Sequence, residues 1–472
     1  VADIKRFTVA DIVLLAIVVA AAAGARAGYL ISCADSGRNS GPLRVQDASP
    51  VLGDLPADTE MRGKKSPTET DALLHNLIEH HWFGSLAPFS AGEEQTAHVS
   101  PGYPWAVAQL ARFVAQDRLD SMVRWIQCGL GALTAGIYFL FARRAFRHRG
   151  VATVAGLLCA LHPFWIISTA AIDDGVVITF LVGLALWLGA RVGDEGGAFG
   201  SLLYGLTLAG AALVRAALLP FALVAMSWVL LRSRRLARGW LYALLAFLGF
   251  ANGLAPWTVR NFQVFNEPVP IVDSTHLHLW IGNNPHADGS PLTEEMIKTV
   301  NADDLAHAQK QPERYARLGR LAWEEVRNHP DSTLQRRMQA GLAFLFGRHW
   351  LNDGTLAETI SASEGGGELP ERIAGAVPVV LQGMLLGMLF FSLLGWRWTY
   401  GWRWESMPSS LAFIWIPLPY ILSHAEMLSG PRLPLDGVLL CYAAFALLCL
   451  MPGLGKELFA GGTGPDEQLG PP

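Results

Sequence analysis

The 472-residue chain is 51% hydrophobic and only 16% charged, with a mean hydropathy of +0.31. A soluble chain carries roughly 25% charged residues, so these values exclude an ordinary water-soluble enzyme and indicate an all-α polytopic membrane protein. The net charge of −4, without a basic cluster interleaved with aromatics, excludes a nucleic-acid-binding surface.

Lys5 and Arg6 precede an apolar run, Ala10–Ile31. It is long for a signal peptide and lacks a convincing small-residue cleavage site, so it reads as a retained first span. A polar segment follows, 33–119. Within it, Ser66-Pro67-Thr68-Glu69 opens an amphipathic helix carrying Leu73, Leu74, Leu77 and Ile78. Ser100-Pro101-Gly102-Tyr103-Pro104 opens a second one, with Trp105, Val107, Leu110, Phe113 and Val114 as an apolar stripe suited to a membrane surface.

Six further spans are predicted before the next polar stretch: Met122–Phe141, Val151–Thr169, Val176–Ala190, Leu202–Val214, a sixth after Pro220, and Leu241–Trp257. The second polar segment, 259–372, holds candidate helices at Leu292–Val300, Arg314–Asn328 and Leu334–Trp350, with a break at His329-Pro330. The last spans are predicted at Ile373–Leu394, Leu411–Leu422 and Leu435–Met451. The chain therefore divides into an N-terminal transmembrane module (1–258, including the first outer loop), an extracytoplasmic segment (259–372), C-terminal spans (373–451) and a Gly/Pro-rich disordered tail (452–472). Roughly ten spans result.

Arginines cluster at Arg143–Arg149 and Arg232–Arg238. The positive-inside rule places them, and both termini, in the cytoplasm of an inner (plasma) membrane protein, and both long segments outside. Four of the five cysteines lie in apolar runs and read as small core residues, and no metal or disulfide spacing exists.

The outward face then collects acids and cations. Asp35 stands at the exit of the first span, Glu93 and Glu94 lie in the first loop, and Asp173-Asp174 form an acidic turn between two apolar runs. An ionisable pair in such a turn is a functional candidate, although a short outer loop also simply needs polar residues. Arg215, Arg260 and Arg432 each flank an apolar run. A guanidinium there can bind a phosphate through parallel hydrogen bonds, or merely snorkel to the headgroups. Pro256-Trp257-Thr258-Val259-Arg260-Asn261 places an interfacial Trp and a permanent cation together. Pro268, Pro270, Gly282 and Pro285 then imply a folded loop.

That stretch, with Leu279-Trp280-Ile281-Gly282-Asn283-Asn284-Pro285, resembles a signature of bacterial GT-C membrane glycosyltransferases, relatives of the dolichyl-phosphate-mannose protein mannosyltransferases. Thr96 to Pro104, His162-Pro163-Phe164 through Asp174, Leu213-Val214-Arg215 and Arg432-Leu433-Pro434-Leu435 are similar to further elements of that family, in the same order. Ala216 stands where the family usually has Pro. Asp35 is followed by Ser36, with no Tyr nearby, where the family commonly places a second acid and a Tyr.

The resemblance implies inverting transfer of a sugar from a polyprenyl-phosphate donor to a protein, lipid or glycan acceptor at the outer face. On this reading Asp35 is the general base, with Asp174 second, and Arg215, Arg260 and Arg432 bind the donor phosphate. Asp173, Glu94, Tyr103 and Asn283 position donor or acceptor. Asp173 or Asp174 is alternatively placed to hold a divalent metal ion. The rivals are a transporter or flippase of a lipid-linked or anionic substrate and a degenerate, inactive subunit. A transporter would place its ionisable groups near the bilayer midplane.

Overall fold

The computed structural model describes residues 7–35, 69–85, 94–287, 300, 310–346, 371–399, 407–423 and 432–451. The elements in chain order are α1 (Val9–Asp35), α2 (Glu69–Glu79), β1 (Gly84–Ser85), β2 (Glu94–Gln95), α3 (Gly102–Ala111), α4 (Gln116–Ala145) and α5 (Arg149–Ala160). There follow α6 (Pro163–Ile167), α7 (Gly175–Glu195), α8 (Ala198–Val214), α9 (Leu219–Ser233), α10 (Gly239–Phe265) and α11 (Thr275–Gly282). The rest are α12 (Gln311–Asn328), α13 (Pro330–Phe346), α14 (Glu371–Trp398), α15 (Met407–Trp415), α16 (Leu418–Leu422) and α17 (Leu433–Cys449).

Helices dominate because a backbone inside hydrocarbon must satisfy its own hydrogen bonds. Five of them are long and apolar enough to cross a membrane: α1, α4, α7, α10, and α9 with the 3-10 turn before it. The pair α5–α6 adds a sixth if its 49° bend interrupts a single span. Shorter apolar helices fall where the remaining spans were expected: α8, the end of α14, α15–α16 and α17. The bend has a local cause. His162 leaves the helical region and Pro163 restarts the helix at its first position.

One expected boundary moves. The sequence ends a span at Trp257, but α10 continues through Pro256 to Phe265 and stops at Asn266 in the left-handed conformation. Membrane helices tolerate an internal proline, and the residues beyond it are still helical. Trp257, Arg260 and Asn261 are therefore on the last turns of a helix, and the polar loop begins about two turns later than predicted.

Interior packing follows from small residues and from one helix that is apolar but for a single carboxylate. At the α8–α10 crossing, a side chain on Gly205 would come within 1.9 Å of the Ala246 carbonyl, and one on Gly249 within 2.4 Å of the Leu202 carbonyl. The two backbones touch there because nothing intervenes. Apart from Asp436 in its first turn, α17 is apolar around its circumference, and it is buried along nearly its whole length, so it forms the bundle's centre.

The arginine clusters meet at one end of the bundle. Asp11 binds Arg143 Nε (3.1 Å) and Arg149 Nε (3.0 Å). Asp194 binds Arg144 (3.1 Å) and Arg232 (2.8 Å). The opposite end carries α2, α3, the β1–β2 pair and α11–α13. There Leu277, Trp280 and Ile281 of α11 form a small core with Tyr315, Leu318 and Ala322 of α12. α12 and the break at His329-Pro330 lie where the sequence puts them. The helix expected at Leu292–Val300, all but Val300 itself, and the capping residues Ser66–Thr68 lie outside the described residues. α3 ends at Ala111 and the expected stripe divides: Val107 is buried, Trp105 is exposed, and Phe113, in the turn after the helix, is exposed as well.

Candidate functional site

At the loop-bearing end, the turn before α7 meets the turn after α8. Arg215 leaves the helical region at the end of α8 and aims its guanidinium at Asp174, the residue preceding α7. Nε lies 2.9 Å from Asp174 Oδ2, and Nη2 bonds Oδ1, a two-pronged pair. Both side chains are largely buried, at 16% and 25% exposure. Asp173 Oδ1 accepts from the Gly175 amide two residues on (2.8 Å), an Asx turn that leads into α7. Asp173 and Tyr420 also act electrostatically on Arg215. Ser100 Oγ accepts from the Ala216 amide (3.0 Å), which fastens the first loop to this turn.

The other sequence-predicted cations are engaged elsewhere. Arg260 Nη1 donates to the Thr96 carbonyl and Nη2 to the Phe83 carbonyl, each at 2.9 Å. Its guanidinium lies over the Trp257 ring at 4.8 Å. Its neighbours make similar bonds. Trp257 donates to the Ile271 carbonyl, Thr258 to the Pro270 carbonyl, and Asn261 to those of Val269 and Ile271. The most recognisable motif thus works as a fastener, drawing both long segments onto the end of α10. Arg260→Ala is accordingly expected to lower stability by about 3 kcal/mol, from two lost charge-assisted hydrogen bonds. Thermal unfolding should show the loss, and Arg260→Lys should recover only part of it, since one ammonium cannot reproduce the planar fork.

Arg432 is 1% exposed. Its Nε lies 2.7 Å from Asp436, Nη1 bonds the Leu345 carbonyl, and the guanidinium sits over Phe164. Tyr103 donates to Gln127 (3.0 Å), and Asn283 donates to the Leu279 carbonyl (2.6 Å). Glu94 pairs with Arg314 of α12. Asp35 is the last residue of α1. The structure therefore brings Asp173, Asp174 and Arg215 together and gives Arg260, Tyr103 and Asn283 bonds inside the fold.

Arg26 and Asp273 escaped the sequence reading, while Arg337, read there as an outward-face cation, and His162 take partners it did not foresee. Arg26, in the middle of α1, is fully buried and donates to the Ala22 and Ala160 carbonyls. His162, at the α5–α6 bend, lies 3.7 Å from Asp436. A basic residue inside the first span was a visible signal. Arg337 of α13 donates to the carbonyls of Gly282, Ile421 and Ser423. A side chain on Gly282 would come within 1.8 Å of the Ser423 carbonyl, so only glycine permits this joint. Asp273 is buried in the loop after α10, and neither carboxylate oxygen has a hydrogen-bond partner. Burial pushes its carboxyl up to about 7, against the opposing effect of Arg314. Among the described residues no cluster of three acidic, histidine or cysteine side chains is arranged to hold a metal ion.

Fold and site together define an all-α, multi-pass membrane protein with buried arginine–carboxylate pairs where the bundle meets its long loops. No family model and no curated protein matches the sequence. Solved structures of the Archaeoglobus fulgidus oligosaccharyltransferase are similar in backbone course. The enzyme tethered to an acceptor peptide aligns with a TM-score of 0.48 at 13% identity, over 96% of this chain and 53% of that one. The complex with zinc and sulfate gives 0.46 at 13% identity, over 95% and 50%. The apo form gives 0.48 at 13% identity, over 93% and 50%. The chain spans about half the length of the protein it resembles.

Proposed function

We propose that this chain is an inverting glycosyltransferase that moves a sugar from a polyprenyl-phosphate carrier to an acceptor at the outer face of the plasma membrane. The observation that carries this reading is the Asp174–Arg215 pair. Two sequence elements that separately resemble parts of a GT-C enzyme meet there, at the boundary between spans and loops. A guanidinium held by a carboxylate is fixed in direction before a phosphate arrives. It would also stabilise the negative charge that builds on the leaving phosphate. Asp35 is the general base on this proposal, and Asp173 orients the turn that carries Asp174. The arginine end is cytoplasmic by the positive-inside rule, and the loop-bearing end faces the acceptor.

The test is turnover of a labelled polyprenyl-phosphate sugar by the purified full chain, together with equilibrium donor binding. Arg215→Ala should weaken donor binding by about 10- to 100-fold, the effect of one lost charge-assisted contact. Arg215→Lys should recover part of it, and Arg235→Ala, at the other end, should bind normally. Equal binding by all three variants would reduce Arg215 to a structural partner of Asp174.

A second reading has one observation in its favour. Arg26, His162, Asp436 and Arg432 are ionisable residues buried inside the bundle, a placement more usual in a transporter. Movement of a lipid-linked sugar across sealed vesicles, with no transfer to any acceptor, would establish that alternative.

A further inference from the structure

We propose that the groove between α2 and α3 binds the headgroup of one anionic phospholipid from the adjoining bilayer, with Arg112 and His81 taking its phosphate. The groove encloses about 320 Å³. Leu77 and Ile78 of α2 and Trp105 and Ala108 of α3 form its apolar walls, and His81, Gln109 and Arg112 stand among the lining residues. An apolar slot with a few polar groups fits an amphipathic ligand: the start of a hydrocarbon chain in the slot and an anion among the polar groups. An extended peptide would need a row of backbone partners, and Gln109 is the sole amide side chain among the lining residues.

The surroundings indicate a bilayer. Trp105 is 58% exposed and Phe113 86%. The exposed apolar side chains continue in chain order onto α4 at Met122, Trp125 and Ile126. α4 is one of the five helices long and apolar enough to cross the membrane. Lipid covers such a face on a span, and an exposed Trp beside it belongs at headgroup depth. Trp105, which lines the groove, is thus one of a run of exposed apolar side chains that leads in sequence into a span.

Both polar side chains are available. Among the described residues neither Arg112 nor His81 makes a side-chain hydrogen bond or ion pair, and both are exposed. His81 follows the end of α2 with φ of 54°, the left-handed region that non-glycine residues rarely occupy. An unfavoured backbone thus sets the imidazole beside the groove, on the other wall from Arg112. A phosphate between them would receive donors from both helices.

The inference depends on the protein's membrane residence and not on its being a glycosyltransferase, so the two fail separately. The full chain is reconstituted in nanodiscs of mixed phosphatidylglycerol and phosphatidylcholine, and the lipid retained on release is counted by native mass spectrometry. Wild type should retain phosphatidylglycerol in preference to phosphatidylcholine. Arg112→Glu should lower that retention about fivefold, the value of one cation at a membrane surface, and His81→Glu should lower it further. Arg118→Glu changes an exposed charge six residues away, off the groove, and should leave retention unchanged. Equal retention of the two lipids by wild type, or an equal loss in Arg118→Glu, would reduce the effect to diffuse attraction and overturn the proposal. So would full retention in the Arg112→Glu, His81→Glu double variant.

Discussion

Asp35→Asn is expected to slow transfer by about 100- to 10,000-fold, the usual cost of losing a general base, while donor binding stays intact. The substitution keeps size and removes charge at the last residue of α1. That helix packs against α6 and the 3-10 turn Ser168–Ala170, the segment that leads into Asp173 and Asp174. A carboxylate at the end of α1 is thus carried by an element already fastened to the one bearing the Asp174–Arg215 pair. Asp174→Asn should also reduce turnover, but through donor affinity, because it releases Arg215. A pH–rate profile separates the two. Loss of the base removes the acidic limb, whereas loss of an orienting carboxylate lowers the curve without moving it. Normal turnover by Asp35→Asn would move the base to another first-loop acid.

Asp273→Asn should make the protein more stable at pH 8 than wild type, by up to about 4 kcal/mol, with the advantage gone below about pH 4. The buried carboxyl is raised from 3.8 to about 7, so the folded state holds its proton more tightly than the unfolded chain does. Wild-type stability is therefore lost as pH rises from about 4 to about 7, and the deficit is constant above that. Burial is the main cause; the Glu94 and Glu267 carboxylates push the same way, and Arg314 opposes them. Thermal unfolding of both proteins across this range supplies the measurement. Parallel profiles would mean that Asp273 ionises as freely in the fold as in water.

The spans were legible because membrane helices announce themselves by length and apolarity, and even the short α8, α15–α16 and α17 fall where those runs lie. The end of α10 was not legible. Trp257 to Asn261 carry polar and aromatic side chains typical of an exit from the membrane, and Pro256 suggests a break. The helix nevertheless continues, because those side chains find their partners on two loops folded against it. The same cause explains why the partners of Arg260 were not legible. A cation beside an apolar run looks equally suited to a phosphate or to main-chain carbonyls, and the carbonyls of Phe83 and Thr96 are 177 and 164 residues away. Asp174 and Arg215 could be named individually, but not as a pair, since 41 residues separate them. Asp273 gave no signal at all: its burial depends on how Ala97 and α12 close over the loop after α10, which is a tertiary fact.

The ion network at the arginine end bears on how the chain is made. Asp11 stands in the first turn of α1, yet its partners Arg143 and Arg149 follow 132 and 138 residues later. During synthesis the first helix therefore enters the bilayer with its carboxylate unmatched and cannot reach its final seat until α4 and the start of α5 have emerged. Asp11 can meet both arginines only after about a third of the polypeptide exists, so a crosslink between positions beside Asp11 and Arg143 should form in nascent chains extended past Arg149 and be missing from chains truncated before Arg143.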